Sequence, residues 1–242
     1  MRLLVTRPEP DNERTAAALR ALGHEVMLAP VLRIEPVADA DLGPPPWSAI
    51  LLTSASAARA IAGHPRFREL VTLPVLAVGR GSADVARSAG FADVSSADGD
   101  GGDLAQLAAS RLKGTAAPLL YLAGEDRARD LGGELARHAL TVHTVVVYRA
   151  AKAGLPSDVR IALAERRIDA VLHFSRRSVE SYLEVTSDMA GPALLPEHHC
   201  LSARAAEPLR AAGAAAIRVA AQPDEASLLA LVTPLPSSNR LE

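Results

Sequence analysis

The chain has 242 residues, 26 basic against 28 acidic side chains, a formal net charge of −2 and 49 % apolar content. That length allows one large or two small domains with buried cores, and the charge balance supplies no basic field for nucleic acid. Aromatics at 3 % are too sparse for stacking on single strands; the one cysteine, Cys200, forms no intrachain disulfide, points to no thiolate metal site and reads as a small buried hydrophobe.

Short, nearly continuous apolar runs at 2–6, 25–29, 49–53, 75–79, 118–123, 142–148, 169–174 and 199–203 read as strands. Continuous rather than alternating runs suit parallel strands covered on both faces. The segments between them have helical spacing. Ala18, Leu19 and Leu22 fall on one face of 14–22, Leu131 and Leu135 on one face of 126–138, and Ala206, Leu209 and Arg210 follow that step in 203–212. Gly23, Gly90 and Gly213 close helices as left-handed caps. The alternation predicts an α/β fold of parallel sheets with helices on both faces.

The proline-rich segment 33–46 cannot be a helix interior, and it reads, with 149–156, as a connector. The stretch 95–103 reads as a surface loop with Asp103 as a helix N-cap; it lacks the closing glutamate of a calcium loop. Met1 leads into an apolar run without a charged n-region or cleavage site, and no uninterrupted apolar run of about 18 residues occurs, so neither a signal peptide nor a membrane span is expected. The expected location is cytoplasmic. The tail 233–242 is expected to be frayed, and its final Leu-Glu is set aside as a candidate vector remnant.

The chain also reads twice. Residues 3–32 have an echo at 119–148, 116 positions on, and 78–94 have an echo at 201–217, 123 positions on. One duplication therefore covers the chain, and two similar α/β halves imply two lobes with a cleft.

In open parallel sheets ligands bind beyond the carboxyl ends of the strands. Those positions hold Thr6-Arg7-Pro8, Thr53-Ser54-Ala55-Ser56, Gly79-Arg80-Gly81-Ser82, Gly124-Glu125, Ser175-Arg176-Arg177-Ser178 and Ser202-Ala203-Arg204. Each precedes a helix whose first turn favours an anion by about 0.3–1 kcal/mol. Ser and Thr are ordinary N-caps; their repetition at five or six strand ends, with Arg7, Arg80 and Arg204, exceeds capping and suits a ligand with many carboxylates or phosphates. Residues 79–84 are no dinucleotide fingerprint, because Asp84 stands where its third glycine belongs, and neither a P-loop nor a nucleophile elbow occurs. The histidines lack metal-ligand spacing beyond the adjacent His198-His199 pair, and His173 reads as a packing residue inside a strand. No metal or cofactor is expected. The candidate acid is Tyr148, which ends a strand at a connector; general acid catalysis is worth about 10²–10⁴ in rate. The plainer alternative is a half-buried aromatic with its hydroxyl in water.

The segments VTRPEP (5–10), LGHEVMLAPVLRI (22–34), ILLTSASAA (50–58), VGRGSADVARSAGF (78–91), LLYLAGED (119–126), VVVYRA (145–150), DAVLHFSRRSV (169–179) and 209–232 resemble, in order and spacing, the uroporphyrinogen-III synthase family. That resemblance implies two α/β lobes, each a parallel β-sheet flanked by helices, joined by a two-stranded connector. Residues 1–32 with 153–242 would form one lobe, 38–146 the other, and 33–37 with 147–152 the connector. It implies cyclisation of hydroxymethylbilane to uroporphyrinogen III with loss of water and inversion of the last pyrrole, in haem biosynthesis, without metal or cofactor. The substrate is a small linear tetrapyrrole with eight carboxylates; no nucleic-acid or membrane partner is implied, and a monomer is expected.

The family's candidate acid maps onto Tyr148, and the substrate-binding candidates are Arg7, Thr53, Ser54, Ser56, Gly79, Arg80, Ser82, Gly124, Ser175, Ser178, Ser202 and Arg204. Residues 202–206 depart from the frequent Gly-Pro-x-Thr-Ala, with Ala205 for threonine, and Ala123 stands where an arginine is common. A two-lobed tetrapyrrole- or polyanion-binding protein without chemistry is the competing class.

Overall fold

The computed structural model describes residues 1–126 and 130–232; the tail read as frayed and residues 127–129 of the helix expected over 126–138 lie outside them. In chain order the elements are β1 (Arg2–Val5), α1 (Asp11–Ala21), β2 (Glu25–Leu28), β3 (Leu32–Pro36), β4 (Ile50–Leu52), α2 (Ala55–Ala62), α3 (Phe67–Leu70) and β5 (Val75–Ala77). There follow α4 (Arg80–Ala89), β6 (Val94–Ser96), α5 (Gly101–Arg111), β7 (Leu119–Gly124), α6 (Leu131–Ala136) and the long β8 (Val142–Lys152). The last part holds α7 (Ser157–Ala164), β9 (Ala170–His173), α8 (Arg176–Val185), a 3-10 turn, α9 (Ala190–Leu194), β10 (Glu197–Cys200), α10 (Ala203–Ala211), β11 (Ile217–Val219) and α11 (Glu225–Leu229). No helix of the described residues is long and apolar enough to cross a membrane.

The chain folds as two compact units. One is Met1–Arg33 with the chain from Ala151 onward, and the other is Ile34–Ala150. The first unit carries a five-stranded sheet of order β11-β10-β9-β1-β2, parallel throughout. The second carries a six-stranded sheet of order β3-β8-β7-β4-β5-β6, in which β8, β7, β4, β5 and β6 are parallel. Strand β3 runs against β8. Val37 N–H donates to the Val147 carbonyl and Ala153 N–H to that of Val31, so advancing along one strand means retreating along the other.

The two sheets share one plan, residue by residue. Leu3 pairs with Val26, and 116 positions on, Leu119 pairs with Val142. Val75 pairs with Val94, and 123 positions on, His198 pairs with Ile217. Ile50 joins Val75 on one side and Leu120 on the other, as Val171 joins His198 and Leu4. Strands β1, β2, β9, β10 and β11 thus correspond to β7, β8, β4, β5 and β6, in the same spatial order. In the second unit alternate residues serve two cores. Ile50, Leu52, Leu120, Leu122, Val145 and Val147 face one, while Leu51, Leu119, Tyr121 and Ala123 face the other.

Local departures from expectation have local causes. Helix α1 buries Asn12, Thr15, Ala16 and Leu19, so its inner face is the i, i+3, i+4, i+7 set counted from Asn12. Ala18 is exposed and Leu22 is the C-cap, 46 % exposed. On α10 the inner residues are Ala205, Ala206 and Leu209, and Arg210 points to solvent. Asp103 is not the cap of α5. Asp100 caps it, accepting from the N–H groups of Gly102 and Asp103, and Asp103 reciprocates at the Asp100 N–H. The expected connectors are partly strand, since β3 takes Leu32–Pro36 and β8 runs on to Lys152. Gly23, Gly90 and Gly213 do adopt the left-handed region, at φ +83°, +112° and +83°.

The strand of the last quarter begins earlier than expected because two buried histidines stand in it. His198 and His199 of β10 and His173 of β9 are fully buried. His173 Nε2 lies 3.1 Å from His198 Nδ1, and their rings stack with centroids 5.3 Å apart. Tyr182 of α8 meets both rings edge-on and donates its hydroxyl proton to the Ala193 carbonyl. His199 beyond them bonds Glu197 at 2.9 Å. Burial, then the neighbouring imidazoles His198 and His199, hold His173 well below the ordinary 6.5. Burial, then His199, brings His198 to about 4. The neighbouring Cys200 thiol is pushed up to about 12 by burial, which keeps it inert.

The corresponding positions of the second unit are Leu52 and Val75, in the same register. Between pH 6.5 and about 4 the unfolded chain binds protons that the folded chain refuses. Stability is therefore expected to fall as pH drops through that window, by up to about 1.4 kcal/mol per pH unit for each histidine. The double variant H173L/H198V installs the residues of the other copy and should flatten that slope in denaturant titrations at pH 7 and pH 5. An unchanged slope would exclude the pair as its source.

Candidate functional site

Strand order reverses direction between β4 and β7 in the second unit and between β9 and β1 in the first. At such a point the connections leave toward opposite sides and open a crevice beyond the carboxyl ends of the strands.

In the second unit hydroxyls gather at that end of the sheet. Strand β8 carries a bulge: Ala123 pairs with Val146 but Gly124 pairs with Tyr148, so Val147 is an extra residue. In a regular strand Tyr148 would point away from the face that Val145 and Val147 share. The bulge brings it onto that face, where it packs against the core that holds them both. The ring lies directly over Gly124. A Cβ there would sit 2.6 Å from Tyr148 Cζ and 2.7 Å from its hydroxyl oxygen, so glycine is required by close approach. Gly124, expected to meet a ligand, is the seat of Tyr148.

The Ser54 side chain lies close enough to the Tyr148 phenol to favour its ionised form. Ser54 directly follows Thr53 at the end of β4 and caps α2 by accepting the Ser56 N–H at 3.1 Å. Ser56 takes part through this backbone N–H. Tyr121 of β7, 5 % exposed, places its hydroxyl 2.9 Å from Thr53 Oγ1. Burial raises the Tyr148 phenol above its ordinary 10.0; Ser54 opposes this and Tyr121 adds to it. At neutral pH Tyr148 is therefore a proton donor and not a base.

Next to this cluster, Gly79, two residues beyond the end of β5, caps α4 with its backbone alone. Ser82 is buried and its N–H returns to the Gly79 carbonyl at 3.1 Å. Arg80 stands out at 83 % side-chain exposure and pairs with Asp98 at 2.9 Å.

The remaining candidates belong to the first unit. Ser175 caps α8 in a box with Ser178, whose buried hydroxyl serves the helix. Ser202 caps α10, accepting the Ala205 N–H at 3.3 Å, so the missing threonine hydroxyl leaves the cap intact. Arg204 is exposed. Arg7 is engaged inside its own unit: Nη1 lies 2.9 Å from Glu225, it donates to Thr15 at 3.2 Å, and the guanidinium covers the Phe174 ring at 4.8 Å. Burial raises the Glu225 carboxyl, but bonds from Thr15, Arg7 and Arg14 outweigh it and the carboxylate is favoured. No group of three or more His, Cys, Asp or Glu gathers for a metal among the described residues.

Sequence reasoning passed over Tyr121, which lies inside the apolar run Leu119–Gly124 and reads as core. The echo carried the missing signal. Tyr121 answers to Val5 and Thr53 to Phe174 under the shared register, so a polar pair in one copy stands where the other has two apolar residues.

A family profile described as uroporphyrinogen-III synthase HemD matches residues 13–230. The crystal structure of uroporphyrinogen-III synthetase from Helicobacter pylori 26695 superposes with a TM-score of 0.67 at 15 % identity, covering 96 % of this chain and 98 % of that one. A mutant uroporphyrinogen III synthase from Thermus thermophilus gives 0.53 at 19 % identity, over 95 % and 96 %. At these identities the likeness is one of fold. Among curated proteins no sequence matches. The profile spans nearly the whole chain, both copies included, and on that ground the chain belongs to the uroporphyrinogen-III synthase family.

Proposed function

We propose that this chain is an active uroporphyrinogen-III synthase, converting hydroxymethylbilane into uroporphyrinogen III, with Tyr148 as the acid. The observation that carries the reading is the Tyr148 phenol, kept protonated by burial and held by a bulge and a glycine seat at the carboxyl end of a parallel sheet. Tyr148 gives its proton to the terminal hydroxyl as the C–O bond breaks, and the oxygen leaves with the bonding pair as water. The adjoining pyrrole nitrogen supplies the electron pair that makes the azafulvenium cation. A substituted carbon of the last pyrrole attacks that cation to give a spiro intermediate. Its opening and reclosure invert the ring, and the proton lost at the end restores the phenol. Holding one linear chain so that this route outruns direct closure is a matter of orientation, and the Tyr148 dipole acts where charge develops.

For the substrate carboxylates, the second unit offers the first-turn N–H groups of α2 and α4, with Arg80 exposed beside them though paired with Asp98. Arg7 enters the reading less directly, because Glu225 already balances its charge.

The deciding experiment is a coupled assay from porphobilinogen with isomer analysis of the product. Type III is expected; type I alone, with tight binding of uroporphyrinogen, would make the chain a binding protein. Tyr148→Phe is expected to lower kcat about 100-fold or more with an unchanged unfolding midpoint, and unchanged turnover would remove Tyr148 as the acid. Because its phenol titrates above 10.0, the kcat profile should show no alkaline loss from this group below about pH 10.

Gly124→Ala puts a methyl where the Tyr148 ring lies. It is expected to cost at least about tenfold in kcat through displacement of the acid, with far-ultraviolet circular dichroism unchanged. Wild-type kcat in this variant would show that the seat does not matter.

A further inference from the structure

We infer that Tyr121 is a positioning residue, which donates its buried phenolic proton to Thr53 and so turns the Thr53 hydroxyl outward as a donor to a substrate carboxylate beside Tyr148. The inference rests on the reading of the site above and adds a residue that acts through another.

Tyr121 is 5 % exposed, and its ring is part of the core between the sheet and helices α5 and α6. A phenol so buried must give its proton to a partner or bear the full cost of desolvation. Thr53 Oγ1, at 2.9 Å, accepts it. Thr53 then keeps its own proton on an oxygen whose inward lone pair is taken. Its β-branched side chain holds χ1 stiffly, so accepting from one side settles where the proton points on the other. A donor that is itself accepting is also polarised into a stronger one, by about 10–30 % per bond.

The second observation is the asymmetry of the repeat. At the equivalent point of the first unit the residues are Val5 and Phe174, and the position matching Tyr148 is Leu32; only the capping serine recurs, as Ser175 for Ser54. Strand pairing, register and cap are thus served without the Tyr121–Thr53 pair. A purely structural account does not explain why one copy carries two hydroxyls where the other does well with apolar side chains. Thr53 immediately precedes Ser54, which acts on the Tyr148 phenol, and the other copy lacks that tyrosine too.

The test is a double-mutant cycle read in steady-state kinetics with hydroxymethylbilane and in binding of uroporphyrinogen III. Tyr121→Phe keeps the ring in place and removes the donor. It is expected to raise KM about three- to tenfold and to leave kcat within about twofold, since Tyr148 is untouched. Thr53→Val should do the same or more, and Thr53→Ser should restore most of the affinity. In the Thr53→Val background, Tyr121→Phe should add nothing further, which a role in packing alone would not predict. Wild-type KM in Tyr121→Phe, or independent effects that multiply in the double variant, would overturn the inference. If the wild type makes no type III product, the synthase reading fails on its own account, and the same cycle read in uroporphyrinogen III affinity still decides the role of Tyr121.

Discussion

Everything at the candidate site depends on strand register. The second unit's sheet is apolar on both faces, with Ile50 and Leu52 facing one core and Leu51 the other. A one-residue slip would exchange one apolar set for another and cost little by burial alone. A polar residue just beyond a strand helps to pin the register. Ser54 in this unit, like Ser175 and Ser202 in the other, must reach free N–H groups at the start of a helix, and each such cap is worth about 1 kcal/mol. A slipped strand would strand these hydroxyls in the sheet. The residues that a ligand would meet are therefore also the residues that hold the strands in place, and the site and the fold share one set of contacts.

Within that frame Tyr148 is exceptional because the ladder breaks for it. Every other pairing along β7 and β8 from Leu119 to Ala123 advances one residue at a time. The extra residue at Val147 lets a strand supply two consecutive side chains to one face: an apolar one to the core and a phenol to the open end. The vacant side of Gly124 receives the ring. Neither feature works alone. A bulge over alanine would drive the ring off its seat, and a glycine without the bulge would leave Tyr148 on the other face.

The alternation of elements, the duplication and the strand-end hydroxyls were legible because each rests on local sequence: apolar runs, echoed segments, Ser and Thr before helices. Strands β6 and β11 were not, since each is three residues at a sheet edge without a fully buried side chain. The start of β10 was hidden by Glu197 and His198, which stand ahead of the run at 199–203 and read as polar although His198 lies fully buried. Tyr148 was found as a strand-ending tyrosine, but its bulge was invisible, because an extra residue is defined only against a partner strand. Tyr121 was hidden for the opposite reason. Its neighbours are all apolar, and nothing within β7 announces that its hydroxyl meets Thr53, 68 positions away. The engagement of Arg7 by Glu225, far along the chain, is equally a fact of tertiary contact.

The two copies diverge in opposite senses, and the location of each divergence says what it does. In the first unit, polarity enters the core: His173 and His198 replace the Leu52 and Val75 of the other copy, inside the strands, away from any opening. Such a pair costs desolvation and leaves His173 Nδ1 without a hydrogen-bond partner; it touches nothing outside the protein. In the second unit polarity enters at the carboxyl ends, where Tyr121, Thr53 and Tyr148 replace Val5, Phe174 and Leu32. There Tyr121 and Thr53 bond one another, at the reversal of the sheet, where a parallel α/β layer receives ligands. Since both copies keep the same register with either set of residues, the fold does not require the hydroxyls. The first unit has its own polar groups at this end, Thr6 and Arg7, where the second has Leu122 and Ala123, so each copy has put different side chains on one shared frame.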